Sequence, residues 1–107
     1  MEDCIFCSIA NGDPDKLVWQ NDVAAAFKDL HPKSPVHVLV VPKQHIGNLD
    51  DLDDQELAGK LVMAVREVAE KTGIKGAWRL SVNNGAKVGQ SVPHLHFHLR
   101  GGEAMAE

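Results

Sequence analysis

Residues 94–99 read His-Leu-His-Phe-His-Leu, three histidines alternating with three apolar residues. They hold half of the chain's six histidines. On an extended strand, positions i, i+2 and i+4 share a face. His94, His96 and His98 are therefore expected along one face, with Leu95, Phe97 and Leu99 sealing the other onto a core. Neighbouring same-face side chains lie about 6.6 Å apart. That spacing suits one imidazole at a reacting centre while the others hydrogen-bond a charged group. It also suits two histidines on one catalytic zinc. Each ring can gain or lose a proton near neutral pH.

Immediately upstream runs Gly85-Ala86-Lys87-Val88-Gly89-Gln90-Ser91-Val92-Pro93. Glycines let backbone N–H groups approach an anion, and consecutive N–H groups form a nest. Joined to the histidines, the stretch predicts an oxyanion or phosphate cradle, with Gln90 and Ser91 adding polar side chains. A second constellation is Cys4-Ile5-Phe6-Cys7. A C-x2-C pair can be a redox couple, two zinc ligands or two unrelated thiols. The strand–helix context of a thioredoxin-like couple is missing.

The elements that must position these groups follow from the patterning. Residues 4–10 are a short apolar stretch ended by Asn11-Gly12-Asp13-Pro14, and predict a short helix. Residues 16–20 and 22–28 predict two strands hinged at Asn21-Asp22, and His31-Pro32-Lys33-Ser34-Pro35 a loop. Residues 36–41 are the strongest strand by β-branched content, ended by Pro42. Across residues 51–72, Leu57, Leu61, Ala64, Val65 and Val68 recur at helical steps. Asp51 or Asp53 is the expected cap, with Gly73 closing the far end. Residues 77–83 predict another strand. The sum is an α+β domain over residues 1–107: a mostly antiparallel sheet, one long helix and a short N-terminal helix.

With 107 residues, 44% of them apolar, the chain can bury a small core. A net charge of −4 gives no general attraction to nucleic-acid polymers or anionic membranes. No apolar run reaches spanning length, and the N-terminus lacks the marks of a signal peptide, so a cytoplasmic, reducing setting is the expectation.

Gly89-Gln90-Ser91-Val92-Pro93-His94-Leu95-His96-Phe97-His98-Leu99 resembles the signature of the histidine triad (HIT) family, His-φ-His-φ-His-φ-φ, where φ is apolar. Arg100 departs from it at the last φ. Further blocks match in order, among them Ile5-Phe6, Ala26-Phe27-Lys28-Asp29-Leu30, Pro35-Val36-His37, Val41-Pro42-Lys43-Gln44-His45-Ile46 and Val82-Asn83-Asn84-Gly85. The similarity is strongest to the Hint-like nucleoside phosphoramidases, including the zinc-bearing bacterial proteins.

The resemblance implies a HIT-like fold and a homodimer joined through the long helix and the strand after it. It implies hydrolysis of a P–N or phosphoanhydride bond at a purine nucleoside monophosphate. His96 is then the nucleophile that carries the covalent nucleotidyl intermediate. His98 contacts the phosphate, and His94 joins a hydrogen-bond relay with His37. Ser91 serves the departing amine. Asn83, Gly89, Gln90, Ser91 and Val92 surround the phosphate, and Asp29 holds the ribose. Ile5, Phe6, Ile9, Phe27 and Leu30 wall the base. Cys4, Cys7, His45 and His94 match the ligands of a structural Zn2+. His94 then has two competing duties. Rival functions are diadenosine polyphosphate hydrolysis in the same fold, a nucleotide-binding or interaction module with weak activity, and a zinc hydrolase using His94, His96 and His37.

Overall fold

The computed structural model describes residues 4–107. Residues 1–3, within the expected domain 1–107, lie outside the described residues. The chain runs through α1 (Ile5–Ala10), β1 (Trp19–Gln20), β2 (Ala24–Lys28), β3 (Val36–Pro42), α2 (Gln55–Lys71), β4 (Trp78–Ser81) and β5 (Phe97–Gly101). The strands form one sheet in the order β1-β2-β3-β5-β4, every neighbouring pair antiparallel. The α+β expectation holds, with two α-helices and five strands among the described residues.

Period-two alternation sorts the side chains of the central strands. Ala24, Ala26, Val38 and Val40 face α2, packing with Leu61, Val65, Val68 and Leu99. Ala25, Phe27, Leu39 and Val41 face the other way, against Phe6 and Ala10 of α1. β3 is thus buried on both faces, and its near-continuous Val/Leu run follows from that. His37 falls on the α1 face with Leu39 and Val41.

Several boundaries differ from the sequence expectation. The cap of α2 is Asp54, neither Asp51 nor Asp53: its carboxylate accepts the Leu57 N–H at 3.1 Å. Asp51 belongs instead to a short 3-10 turn, Leu49–Asp51, capped by Asn48. Gly73 follows the helix with φ +80°, a left-handed backbone that glycine adopts without steric cost. The strand expected over 77–83 is confined to β4, and those expected over 16–20 and 22–28 to β1 and β2.

The main correction concerns the histidine strand. β5 begins only at Phe97, so His94 and His96 lie outside the ladder. Continuing the β3–β5 register would set Leu95 against Pro42, which has no N–H to donate. The Leu95 N–H turns instead to the Ile46 carbonyl at 2.7 Å. Sidedness survives the break: Leu95 and Leu99 are buried with α2. No described helix is long and apolar enough to cross a membrane.

Candidate functional site

Each histidine of the row is held by a different partner, and the partner decides which ring nitrogen carries the proton. His94 Nε2 lies 2.9 Å from the Pro42 carbonyl, which can only accept. Nε2–H therefore donates, and the Nδ1 lone pair points at Cys4 Sγ (3.2 Å) and Cys7 Sγ (3.4 Å). His96 is reversed. Its Nδ1–H donates to the His94 carbonyl at 2.8 Å, which leaves Nε2 as the free base. His98 takes its state from His37. The Lys33 N–H donates to His37 Nδ1 at 3.0 Å, so the neutral ring is protonated on Nε2. That N–H faces His98 Nδ1 at 3.0 Å and Asp29 Oδ2 at 3.3 Å. His98 then accepts on Nδ1 and presents Nε2–H as a donor.

These contacts overturn the expected relay between His94 and His37. His37 pairs with His98, and His94 joins the cysteines. The reason is the late start of β5, which leaves His94 outside the ladder and beside α1 while His98 stays in register opposite Leu39, beside His37. Burial lowers the proton affinity of His37 and His98 below the ordinary histidine value. For His98 the neighbouring His96 and His37 act in the same direction.

A cavity of about 700 Å³ opens beside the row. All five expected wall residues, Ile5, Phe6, Ile9, Phe27 and Leu30, line it, together with Asp29, Ser91, Val92, His96 and His98. Phe6 sits at its back, edge-on to His96 at 5.0 Å between ring centroids and to Phe27 at 5.3 Å. Ile5 and Leu30 form exposed lips, Leu30 with 89% of its surface open. Sequence reasoning missed Leu17, Val18 and Leu39 in this wall. Leu39 was within reach, being two positions along β3 from His37. Leu17 and Val18 arrive through tertiary folding of the segment before β1, which leaves no local signal.

The anion nest expected from the glycine loop is not where it was placed. The N–H groups of Val88, Gly89 and Gln90 bond carbonyls within the loop, and the Gly85 N–H goes to Gln90 Oε1. Gly89, at φ +99°, closes that turn. The Gln90 side chain is consumed as a brace, its Nε2 donating to Gly47 (2.7 Å) and Val92 (3.0 Å) carbonyls. The N–H groups of the next two positions, Ser91 and Val92, bond no acceptor among the described residues, and both residues line the cavity. Asn83 lines a second, smaller hollow adjoining His98.

Cys4, Cys7, His45 and His94 form one cluster, their ligand atoms all within 4.8 Å of one another. Cys4 Sγ caps α1 by accepting the Cys7 N–H, and Cys7 Sγ lies 3.3 Å from His45 Nδ1. Tetrahedral zinc with ordinary bond lengths has sulfur–nitrogen edges of about 3.5 Å. The observed 3.2, 3.3 and 3.4 Å are close to that. Burial and the neighbouring Cys4 push the Cys7 thiol up, so paired thiolates need a compensating cation. The cluster has the donors and spacing to bind a metal. Asp29, His37 and His98 also converge. There, His37 accepts on one nitrogen and carries its proton on the other, so it has no lone pair left for a metal.

The His37–His98 pair makes stability pH-dependent. In the unfolded chain His37 and His98 take up protons near pH 6.5, and in the folded protein only at lower pH. The stability present above pH 6.5 is therefore lost as pH falls through that value toward the folded-state values. Melting temperatures taken from about pH 7.5 down to about pH 5.5 should decline, and His37→Gln should flatten the decline. An equal slope in that variant would assign the effect elsewhere.

The family model for the HIT domain matches residues 11–105. A HIT-like protein of Synechocystis is 44% identical over 104 residues, covering 94% of this chain and 91% of the relative. Among solved structures, a histidine triad protein from Clostridium difficile superposes with a TM-score of 0.90 at 36% identity, covering 100% of this chain and 96% of that one. A HIT family hydrolase from Legionella pneumophila gives a TM-score of 0.88 at 35% identity, covering 97% and 96%.

Proposed function

Because the chain belongs to the HIT domain family, whose solved members include proteins named as hydrolases, we propose that it hydrolyses conjugates of a purine nucleoside monophosphate, in the manner of the Hint-like phosphoramidases. The observation that carries this is the His96 ring. Its Nδ1–H is tied to a backbone carbonyl, and it lines a largely apolar cavity large enough for a nucleoside.

In this mechanism His96 Nε2 attacks the α-phosphorus. The N–P bond forms as the bond to the leaving group breaks, and the leaving amine takes up a proton from solvent, relayed by the Ser91 hydroxyl that lines the cavity. His98 Nε2–H donates to a non-bridging oxygen, as do the unspent N–H groups of Ser91 and Val92. Water then attacks phosphorus, His96 leaves as the neutral imidazole, and the nucleoside monophosphate is released. Asp29 already accepts the His31 N–H on Oδ1. A carboxylate has further lone pairs for ribose hydroxyls. The base lies between Phe6, Phe27 and the aliphatic wall. A zinc hydrolase built on His94, His96 and His37 gains no support, since those three do not converge and His96 stands in neither described ligand cluster.

His96→Ala should cut hydrolysis of adenosine phosphoramidate by several powers of ten, against about 10²–10³ for the loss of one supporting donor. Rapid quench and mass spectrometry should find wild-type protein carrying an acid-labile adenylyl group. Near-normal turnover in the variant would remove His96 as nucleophile.

Cys4, Cys7, His45 and His94 would hold a structural Zn2+, which supplies a cross-link between α1 and the end of β3 when bound. Phe6, between the two cysteines, also touches the His94 ring, with centroids 6.0 Å apart. Protein purified without a tag should contain about one zinc per chain. Cys7→Ser should release it and lower the melting temperature, with His96 chemistry retained. Metal-free protein after zinc supplementation would refute the site.

A homodimer is proposed through α2 and β4, where Val62, Met63, Trp78 and Leu80 are partly or largely exposed. Sedimentation at micromolar concentration should give twice the chain mass. A stable particle of one chain mass counts against this interface.

A further inference from the structure

Arg100 stands where the triad signature has an apolar residue, two positions beyond His98 on the same face of β5. It is not solvated at random. Its Nε donates to Ser34 Oγ at 2.8 Å and its Nη2 to the Lys33 carbonyl at 3.1 Å. A guanidinium has five N–H donors, so several remain after these two bonds. Among the described residues no carboxylate lies within ion-pairing distance of it. The hollow that it lines, about 250 Å³, also contains Lys33, His31 and Asn83. Asp29, His31 and His98 line both this hollow and the larger cavity, so the two are contiguous across His98. Arg100, Lys33 and Asn83 line only the hollow. Asp29, the one acid there among the described residues, is already engaged by the His31 N–H and by His37. The chain carries a net charge of −4, yet this end of the site is locally cationic.

We propose that Arg100, with Lys33, forms a second anion subsite that receives a phosphate or carboxylate of the substrate beyond the α-phosphate. The inference rests on the nucleotide function proposed above and deepens it by naming the charge of the substrate's remote group. A braced, unpaired guanidinium with spare donors is pre-organised for bidentate contact with such a group. A neutral amine leaving group would make no use of it. Two sources share this chemistry: a group on the leaving side of the α-phosphorus, or a phosphate on a ribose hydroxyl beside Asp29.

Calorimetric titration with adenosine 5′-monophosphate, adenosine 5′-diphosphate and adenosine 3′,5′-bisphosphate tests it without relying on turnover. Wild-type protein should bind at least one of the two probes with a second phosphate about tenfold more tightly than the monophosphate. Preference for the diphosphate assigns the leaving side, and preference for the bisphosphate the ribose side. Arg100→Leu, which restores the apolar residue, should erase the preference, and Arg100→Lys should keep part of it. If the leucine variant does not fold, Arg100→Gln retains a donor to Ser34 without the charge and should also lose the preference. Equal affinity for all three probes in wild-type protein overturns the subsite while leaving the nucleotide function standing. So does a preference that survives both neutral substitutions. Failure to bind any of the three overturns both.

Discussion

The site depends on a hydrogen bond that Pro42 cannot make. In an antiparallel ladder alternate residues turn their polar backbone toward opposite neighbours. The Lys43 N–H bonds the carbonyl of Val23, just before β2, which directs the backbone of Pro42 toward β5. Without an N–H there, the ladder stops, and the chain from His94 to His96 leaves the sheet. The freed Pro42 carbonyl takes the Nε2–H of His94. That bond turns Nδ1 toward the cysteines and places the His94 carbonyl where it accepts from His96. One missing donor thus fixes the His94 ring at the cysteine cluster and, two residues later, the His96 ring at the cavity.

Four histidines are drawn into the same region, yet no buried side-chain nitrogen or oxygen among the described residues lacks a partner. The neutral His37 and His94 rings can be buried because each N–H has a defined acceptor, His98 Nδ1 for one and the Pro42 carbonyl for the other. The Lys33 N–H, the Pro42 carbonyl and the His94 carbonyl are all main-chain groups. Their positions are set by loop and strand geometry, so the protonation pattern is a property of the fold more than of the side chains.

Much of this was legible in the sequence. The Val-Leu-Val-Val run of β3, the spacing of Leu57, Leu61 and Val65 in α2, and the strict alternation from His94 to Leu99 announced two faces of a sheet and a helix across one of them. The wall residues Phe6 and Phe27 were also accessible, through blocks shared with a known family. What escaped was the break at Pro42, because alternation continues through residues 94–96 although the ladder does not. Period two records sidedness and says nothing of pairing. The partner of His37 escaped for the same reason. The spent N–H groups of the glycine loop were illegible because Gln90 lies next to the loop in sequence, and only its fold shows that the amide turns back into it.

The cavity has two jaws made of different material. One consists of β3 and β5, which meet at the centre of the sheet, with β3 packed on both faces and His37 within it. Backbone of that kind opens only when the whole molecule unfolds. The other consists of the six-residue α1 and the turn after β2, whose tips, Ile5 and Leu30, are 56% and 89% exposed. Few apolar contacts hold those tips, and local opening there is inexpensive. A bound molecule can therefore be accommodated by deforming one side while His37 and His98 stay in register on the other. Tolerance of ligand shape and fidelity of chemical geometry, often in conflict within one pocket, are assigned here to separate parts of the chain.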